Sequence, residues 1–419
     1  MEIKNAIVII GFVTLFFAYI RMNENSYLGN NYHLNEINIK DREFTLIKTD
    51  LPLSHMIKLN EKFLICSGLN SPQIYITKEY LSNYINNGGI FLYNINNKNL
   101  ENIELENYPS KLPFHPQGLS LYNIDSETYY LYVINHSIDT DNPRKNEERI
   151  EKFLLKIKTE TISLEYKNTF SLSQNYFGTV KSIAAINHDI IYFTTQSYFS
   201  LPCYYTQDNE YNFLKYLNNA KFFIYEWMNI LFQKFDLKKT FLYSYDWEKG
   251  EINIIANSEG ISNRGLAYDR KNSLLYMVRP YEKDIKIFEI SRNIPSNALL
   301  IKTIKTIYNI ENIFYDEDNN KIYAGIYGSI NELKNLEAQY KNEENFDLVL
   351  TFGGFEEFDI KNNYEISDII LFKNELKGIS SAIKVKNDIF FSSQYQKGLL
   401  INKFLFLFSL DLYYQLKNK

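Results

Sequence analysis

Two cysteines, 9 prolines and 16 glycines are all that 419 residues provide of the usual structural punctuation. With Cys66 and Cys203 alone, a disulfide framework and a cysteine-based zinc site are both excluded. So little Pro and Gly marks no linker between separate domains. A basic excess is missing too, since 45 Lys+Arg stand against 50 Asp+Glu for a formal charge of -5. A nucleic-acid binder would carry a basic face or stripe, so no nucleic-acid partner is expected. No Gly-x-Ser-x-Gly elbow, Ser-His-Asp spacing or Gly-rich phosphate loop occurs. What is present is a globular composition, 45% hydrophobic against 23% charged, which excludes general disorder. The 35 Tyr and 30 Phe against 2 Trp fit a drift toward residues with A/T-rich codons.

One long apolar run occurs. Residues 5–20 read NAIVIIGFVTLFFAYI between Lys4 and Arg21, with no charge inside. A membrane-spanning helix needs roughly 20 apolar residues, about 17 at the least, and flanking Lys and Arg can snorkel to the interface. No small-residue cleavage site follows, so residues 1–22 read as an uncleaved signal anchor rather than a removed peptide; a buried helix is the alternative. Residues 23–41 then form a linker. The body is expected to be membrane-anchored, in the endomembrane lumen or on the extracellular face. One glycosylation sequon exists, Asn135-His136-Ser137.

From about residue 42 the pattern changes to short apolar or alternating runs separated by polar turns. Examples are 62–67 (KFLICS), 129–134 (YYLYVI), 190–195 (IIYFTT), 285–290 (IKIFEI), 347–352 (DLVLTF) and 388–393 (DIFFSS). Turns such as 269–272 (DRKN) and 315–320 (YDEDNN) recur just before a strand containing Tyr. So many short strands are too long a series for one sandwich. The expected fold is all-β, a six-bladed β-propeller over 42–403 with an N-terminal hydrophobic helix and an inserted amphipathic helix. Two stacked β domains are the alternative.

The inserted helix is residues 211–239. Phe213, Leu217, Ala220, Ile224, Trp227, Met228, Leu231 and Phe235 recur at spacings of three and four. Two readings stand level: the apolar face packs on the β core, or it lies on a membrane surface beside the N-terminal segment. Residues 404–419 form a C-terminal tail whose FLFLF run carries the same ambiguity.

Several stretches resemble the paraoxonase/arylesterase family of calcium-dependent ester and lactone hydrolases. They are Cys66-Ser67-Gly68-Leu69, Pro116-Gln117-Gly118-Leu119-Ser120, Val133-Ile134-Asn135-His136, Glu311-Asn312-Ile313 and residues 378–400. They occur in family order over 61–401. Strictosidine-synthase-like propellers are the nearest competing family. The resemblance implies a six-bladed propeller acting on aromatic esters or lactones.

The resemblance also implies where a catalytic calcium would be held. The family's ligand positions fall on Leu53, Lys181, Arg264, Glu311 and Asn312, and those of a second, structural calcium on Ser54 and Ser182. A hard cation wants several oxygens, and of the first set only Glu311 and Asn312 still offer them. Lys181 and Arg264 would bring their own charges, with Glu311 between them. No metal cofactor is therefore expected. Gln117 stands where the family has its proposed general base, and a Gln takes no proton at neutral pH. His136 matches a second family histidine. In an extended segment positions i and i+2 share a face, so His115 is expected to reach the same cavity, and His115 with His136 is the remaining acid–base pair. His33, His55 and His188 read as surface or packing residues. With His136 inside the tunnel, the sequon at Asn135 would be buried and unused. Two functions follow: an ester or lactone hydrolase, or a catalytically degraded propeller that binds or organises a partner at a membrane.

Overall fold

The computed structural model describes residues 43–69, 75–77, 88–110, 112–137, 147–158, 161–172, 178–197, 204–206, 228, 239–291, 293–294, 296–328, 351–373 and 375–403. The expected N-terminal helix, linker and tail lie outside these residues, as does all of 211–239 except Met228 and Lys239. Every element of the described chain is a strand, 27 in all. Among the described residues no helix is long and apolar enough to cross a membrane.

The strands form six antiparallel blades around an axis. The first strand, β1 (Glu43–Ile47), belongs to the last blade. The first blade is β2 (Leu53–Lys58), β3 (Phe63–Leu69), β5 (Gly88–Asn94) and β6 (Asn99–Ile103), with the short β4 (Tyr75–Thr77) outside it. The second blade orders β8 (Pro116–Asn123), β9 (Thr128–Ser137), β10 (Glu147–Lys158) and β11 (Thr161–Leu172), and adds β7 (Leu105–Glu106) in parallel on its rim. The third holds β12 (Val180–Ala185), β13 (Ile190–Thr195), β15 (Leu242–Asp246) and β16 (Glu251–Ile254). Between β13 and β15 the chain leaves for β14 (Tyr204–Thr206), which pairs with β4. The fourth and fifth blades are β17 (Leu266–Asp269) to β20 (Ala298–Lys305) and β21 (Ile310–Asp316) to β24 (Glu365–Lys373). The sixth is β25 (Ile379–Val385), β26 (Asp388–Ser393) and β27 (Leu399–Lys403), with β1 hydrogen-bonded to β27 as its outer strand.

The recurrent turns have one geometry. An Asp or Asn accepts a backbone N–H two residues on, three residues on or both, and the residue four positions on has positive φ. The pairs are Asn94/Lys98, Asp246/Gly250, Asp269/Ser273, Asp316/Asn320 and Asp359/Asn363. The side-chain oxygen substitutes for a backbone acceptor, and the left-handed residue then turns the chain back into its partner strand. At Asp269 and Asp316 it is the turn that precedes a Tyr-containing strand.

The core is split into six apolar clusters, one at each seam between neighbouring blades. Sheets buried on both faces read as continuous apolar runs, which is why 190–195 and 388–393 show so little alternation. The aromatics fill these seams. Tyr93, Tyr132, Tyr192, Tyr276 and Tyr323 are among the largest fully buried side chains. Phe170 stacks on Tyr245 with centroids 3.7 Å apart across the second and third blades. Cys66 sits in the seam of the sixth and first blades, where burial pushes its thiol up to about 12.

Candidate functional site

The innermost strands β2, β8, β12, β17, β21 and β25 touch one another in a ring around the axis. Five of them start with a break in register: Leu53/His55, Pro116/Leu119, Val180/Ser182, Ile310/Ile313 and Ile379/Ser381. A bulge frees a residue from the ladder and re-aims its side chain. The residues freed here are Ser54, Gln117 with Gly118, Lys181, Glu311 with Asn312, and Ser380. Several of the expected site positions are therefore bulge positions, gathered at one end of the axis. In the fourth blade Arg264 lies just before β17, its N–H given to the Val278 carbonyl. Gly265 beside it has no room for a side chain: a Cβ would come within 2.6 Å of Asn312 Cα and 2.9 Å of Ile313 N. That close approach lets Arg264 reach Glu311.

Glu311 is the centre of the charge arrangement. Its Oε1 lies 2.8 Å from Lys181 Nζ, and its Oε2 pairs with Arg264 Nη1. Glu311 and Lys181 are buried, at 2% and 4% exposure, and Arg264 keeps a partly exposed edge at 11%. Burial opposes the charge of Glu311, but Arg264 and Lys181 outweigh it and hold the carboxyl below its usual value. Arg264 is raised in turn, burial being outweighed by Glu311. The Tyr327 ring covers the guanidinium at 5.5 Å, a cation–π contact.

The triad joins a second group through two glutamines. Lys181 Nζ donates to Gln394 Oε1 at 3.4 Å, and Gln117 Nε2 reaches the same oxygen at 3.5 Å. Gln117 Oε1 then faces His136 Nε2 at 2.5 Å. The other ring nitrogen, Nδ1, is 2.8 Å from Glu148 Oε2, and that oxygen also accepts the Val180 N–H at 3.2 Å. Sequence reasoning missed Glu148 and Gln394. Glu148 sits in an unremarkable charged stretch, and Gln394 meets Gln117 across 277 residues of chain.

His115 does not meet the His136 ring. Its Nδ1 bonds the His136 carbonyl at 3.0 Å, and its own N–H goes to Asn135 Oδ1 at 2.7 Å. The i/i+2 argument assumed an extended segment, and the bulge that starts at Pro116 breaks that pattern. His55, read as a packing residue, lies at the hub. Burial, reinforced by Lys181 and opposed by Glu311, lowers its imidazole to about 3, so its Nδ1 stays an acceptor for the Leu119 N–H at 3.1 Å. His188 is exposed, and His33 lies outside the described residues.

Of the positions aligned with calcium ligands, Leu53 is fully buried hydrocarbon. Ser54 Oγ bonds Ser67 Oγ at 2.9 Å, and Ser182 Oγ accepts the Leu266 N–H at 3.0 Å. Asn312 Nδ2 donates to the Ser380 carbonyl at 2.8 Å. Among the described residues no three His, Cys, Asp or Glu side chains converge on one point. A cavity of about 620 Å³ between the outer parts of the third and fourth blades, lined by Ile254, Asn272, Glu289, Ser291 and Leu299, has no His or Cys in its lining and a single carboxylate.

Asn135 is fully buried, and its Nδ2 donates to Tyr108 Oη, the Pro113 carbonyl and Glu151 Oε1 at 3.0–3.1 Å. A glycan cannot be accommodated there once the blade has formed. Chain secreted in folded form from a glycosylating host is expected to carry no glycan at Asn135. An intact mass before and after endoglycosidase checks this.

A family model described as Arylesterase matches residues 54–211. The bovine (Bos taurus) serum paraoxonase/arylesterase 2 is 24% identical over 245 residues, 57% of each chain. The mouse (Mus musculus) serum paraoxonase/arylesterase 1 is 25% identical over 246 residues, again 57% of each. The match thus spans little more than half the length of these curated relatives.

Proposed function

We propose that this chain, a divergent member of the paraoxonase/arylesterase family, is a hydrolase of aromatic esters or lactones whose turnover needs no calcium. One observation carries the reading. The imidazole held by Glu148 and the cations held by Glu311 meet, through Gln117 and Gln394, at a single end of the axis. A calcium ion does not suit this donor set. It wants six to eight oxygens, whereas here two fixed cations already take both oxygens of Glu311, and Leu53 offers none. Lys181 and Arg264 supply in its place what an oxyanion needs, preorganised positive charge away from bulk water. His136, oriented by Glu148, is the group that would move a proton, with Gln117 turned aside by substrate.

One observation favours a second reading, a non-catalytic binding module. Both ring nitrogens of His136 face acceptor oxygens, Glu148 Oε2 and Gln117 Oε1. Gln117 is held in that sense by its Nε2 contact with Gln394. In this arrangement the ring has no lone pair turned toward a substrate. The test is hydrolysis of phenyl acetate and of a simple lactone by purified protein, with and without a calcium chelator. Equal turnover in both is expected. Loss of turnover in chelator overturns the calcium-free mechanism, and no turnover in either favours the binding module. A membrane contact through residues 1–22 and 211–239 is proposed with it, checked by partition of the full chain with detergent.

A further inference from the structure

Two polar atoms at the axis have no partner among the described residues. Arg264 Nε is buried without a hydrogen bond, and so is Asn312 Oδ1. Such atoms are rare in folded proteins, because leaving a buried donor or acceptor unpaired costs about 1–3 kcal/mol. Neither can be relieved by turning the side chain round. Arg264 is held at Nη1 by Glu311, which it shares with Lys181, so one carboxylate serves two cations. The Asn312 amide is fixed because its Nδ2 donates to the Ser380 carbonyl, which can only accept. The two residues are neighbours, since Gly265, next to Arg264, packs against the Asn312 backbone.

The two atoms want different things. The Nε side of a guanidinium fork, next to an excess of positive charge, suits a planar carboxylate. A lone carbonyl oxygen of an amide wants a donor, and a hydroxyl is the simplest one that an anion can carry. We propose that the socket is a binding site for small hydroxycarboxylates, the carboxylate going to Arg264 Nε and the hydroxyl donating to Asn312 Oδ1. The Tyr327 ring over the guanidinium makes an apolar wall for an aromatic group on such a ligand. Access is from the rim, where Arg264 and Gln394 are the partly exposed members of the network. The proposal rests on the same socket as the hydrolase reading, and a hydroxycarboxylate is what opening a lactone leaves behind, but it does not require turnover.

The probes are mandelate and phenylacetate, an aromatic pair that differs by one hydroxyl, titrated calorimetrically into the intact chain. Mandelate is expected to bind about tenfold more tightly than phenylacetate, the size of one hydrogen bond to a buried group. Arg264→Lys keeps the charge and removes the fork, and is expected to weaken both probes about tenfold or more. Asn312→Ala is expected to leave phenylacetate unchanged and abolish the preference for mandelate. Circular dichroism and the melting temperature establish that each variant is folded. Binding of neither probe at millimolar concentration overturns the proposal, and so does binding that Arg264→Lys leaves intact. A preference for mandelate that survives Asn312→Ala removes the hydroxyl assignment. Hydroxycarboxylate binding without ester turnover overturns the hydrolase reading alone; turnover unaffected by millimolar mandelate overturns this one alone.

Discussion

Glu311→Gln is expected to lower the unfolding free energy by about 3–5 kcal/mol near neutral pH, because it strands Lys181 and Arg264 as buried cations without their shared carboxylate. Removing one partner of a buried ion group costs far more than the group itself contributes, since the remaining charges keep their desolvation penalty. The pH dependence has a definite sign. Burial would raise the Glu311 carboxyl, but Arg264 and Lys181 win and depress it. A depressed carboxyl contributes stability that is fully present above its unfolded value, about 4.3, and is lost as pH falls through its folded value. The difference between wild type and Glu311→Gln should therefore shrink as the pH is taken below 4.3. Urea unfolding at pH 7.5, 5 and 3.5 measures it. A loss under about 1 kcal/mol at pH 7.5 would show that the two cations reach water without Glu311.

Glu356→Gln is expected to do the reverse and stabilise the protein, by up to about 4 kcal/mol above pH 7. Glu356 lies in β23 (Phe352–Asp359), fully buried, with one oxygen accepting the Ile307 N–H at 3.3 Å and the other without a partner among the described residues. Burial, only partly offset by that hydrogen bond, raises its carboxyl to about 7. Folding at neutral pH therefore requires the side chain either to take up a proton or to be buried charged. For a raised carboxyl the penalty is absent below the unfolded value, grows between about 4.3 and 7, and stays constant above. A neutral Gln removes that penalty and can still accept the Ile307 N–H. The gain should be near zero at pH 4 and complete at pH 8. Equal stability of the two proteins at pH 8 would sink the prediction.

These two carboxylates show what the sequence could and could not convey. The strands at 190–195 and 388–393 coincide with β13 and β26 because a doubly buried strand announces itself as an unbroken apolar run bounded by turn residues. The six-bladed ring followed from the number of such runs. Glu311 stood out because a resemblance placed it between Lys181 and Arg264. Glu356 could not stand out, because its character comes from the absence of a partner, and absence is a property of packing. Outer strands such as β16 and β20 leave apolar residues in water, Ile254 at 62% and Leu299 at 63% exposure, so apolar character there did not report burial. The His115 expectation failed to reach the His136 ring for a local reason: period-two logic holds only within an unbroken ladder, and the hub residues sit where the ladder is interrupted. Those interruptions are invisible in composition and periodicity alike.

The pairing of β1 with β27 sets a timetable for synthesis. Glu43 emerges about 360 residues before Lys403, its partner across that ladder. At a translation speed of roughly 5–20 residues per second the nascent β1 waits some 20–70 s for its neighbour. Throughout that interval an unpaired strand edge is exposed on the ribosome, a template for wrong pairing that chaperones must shield.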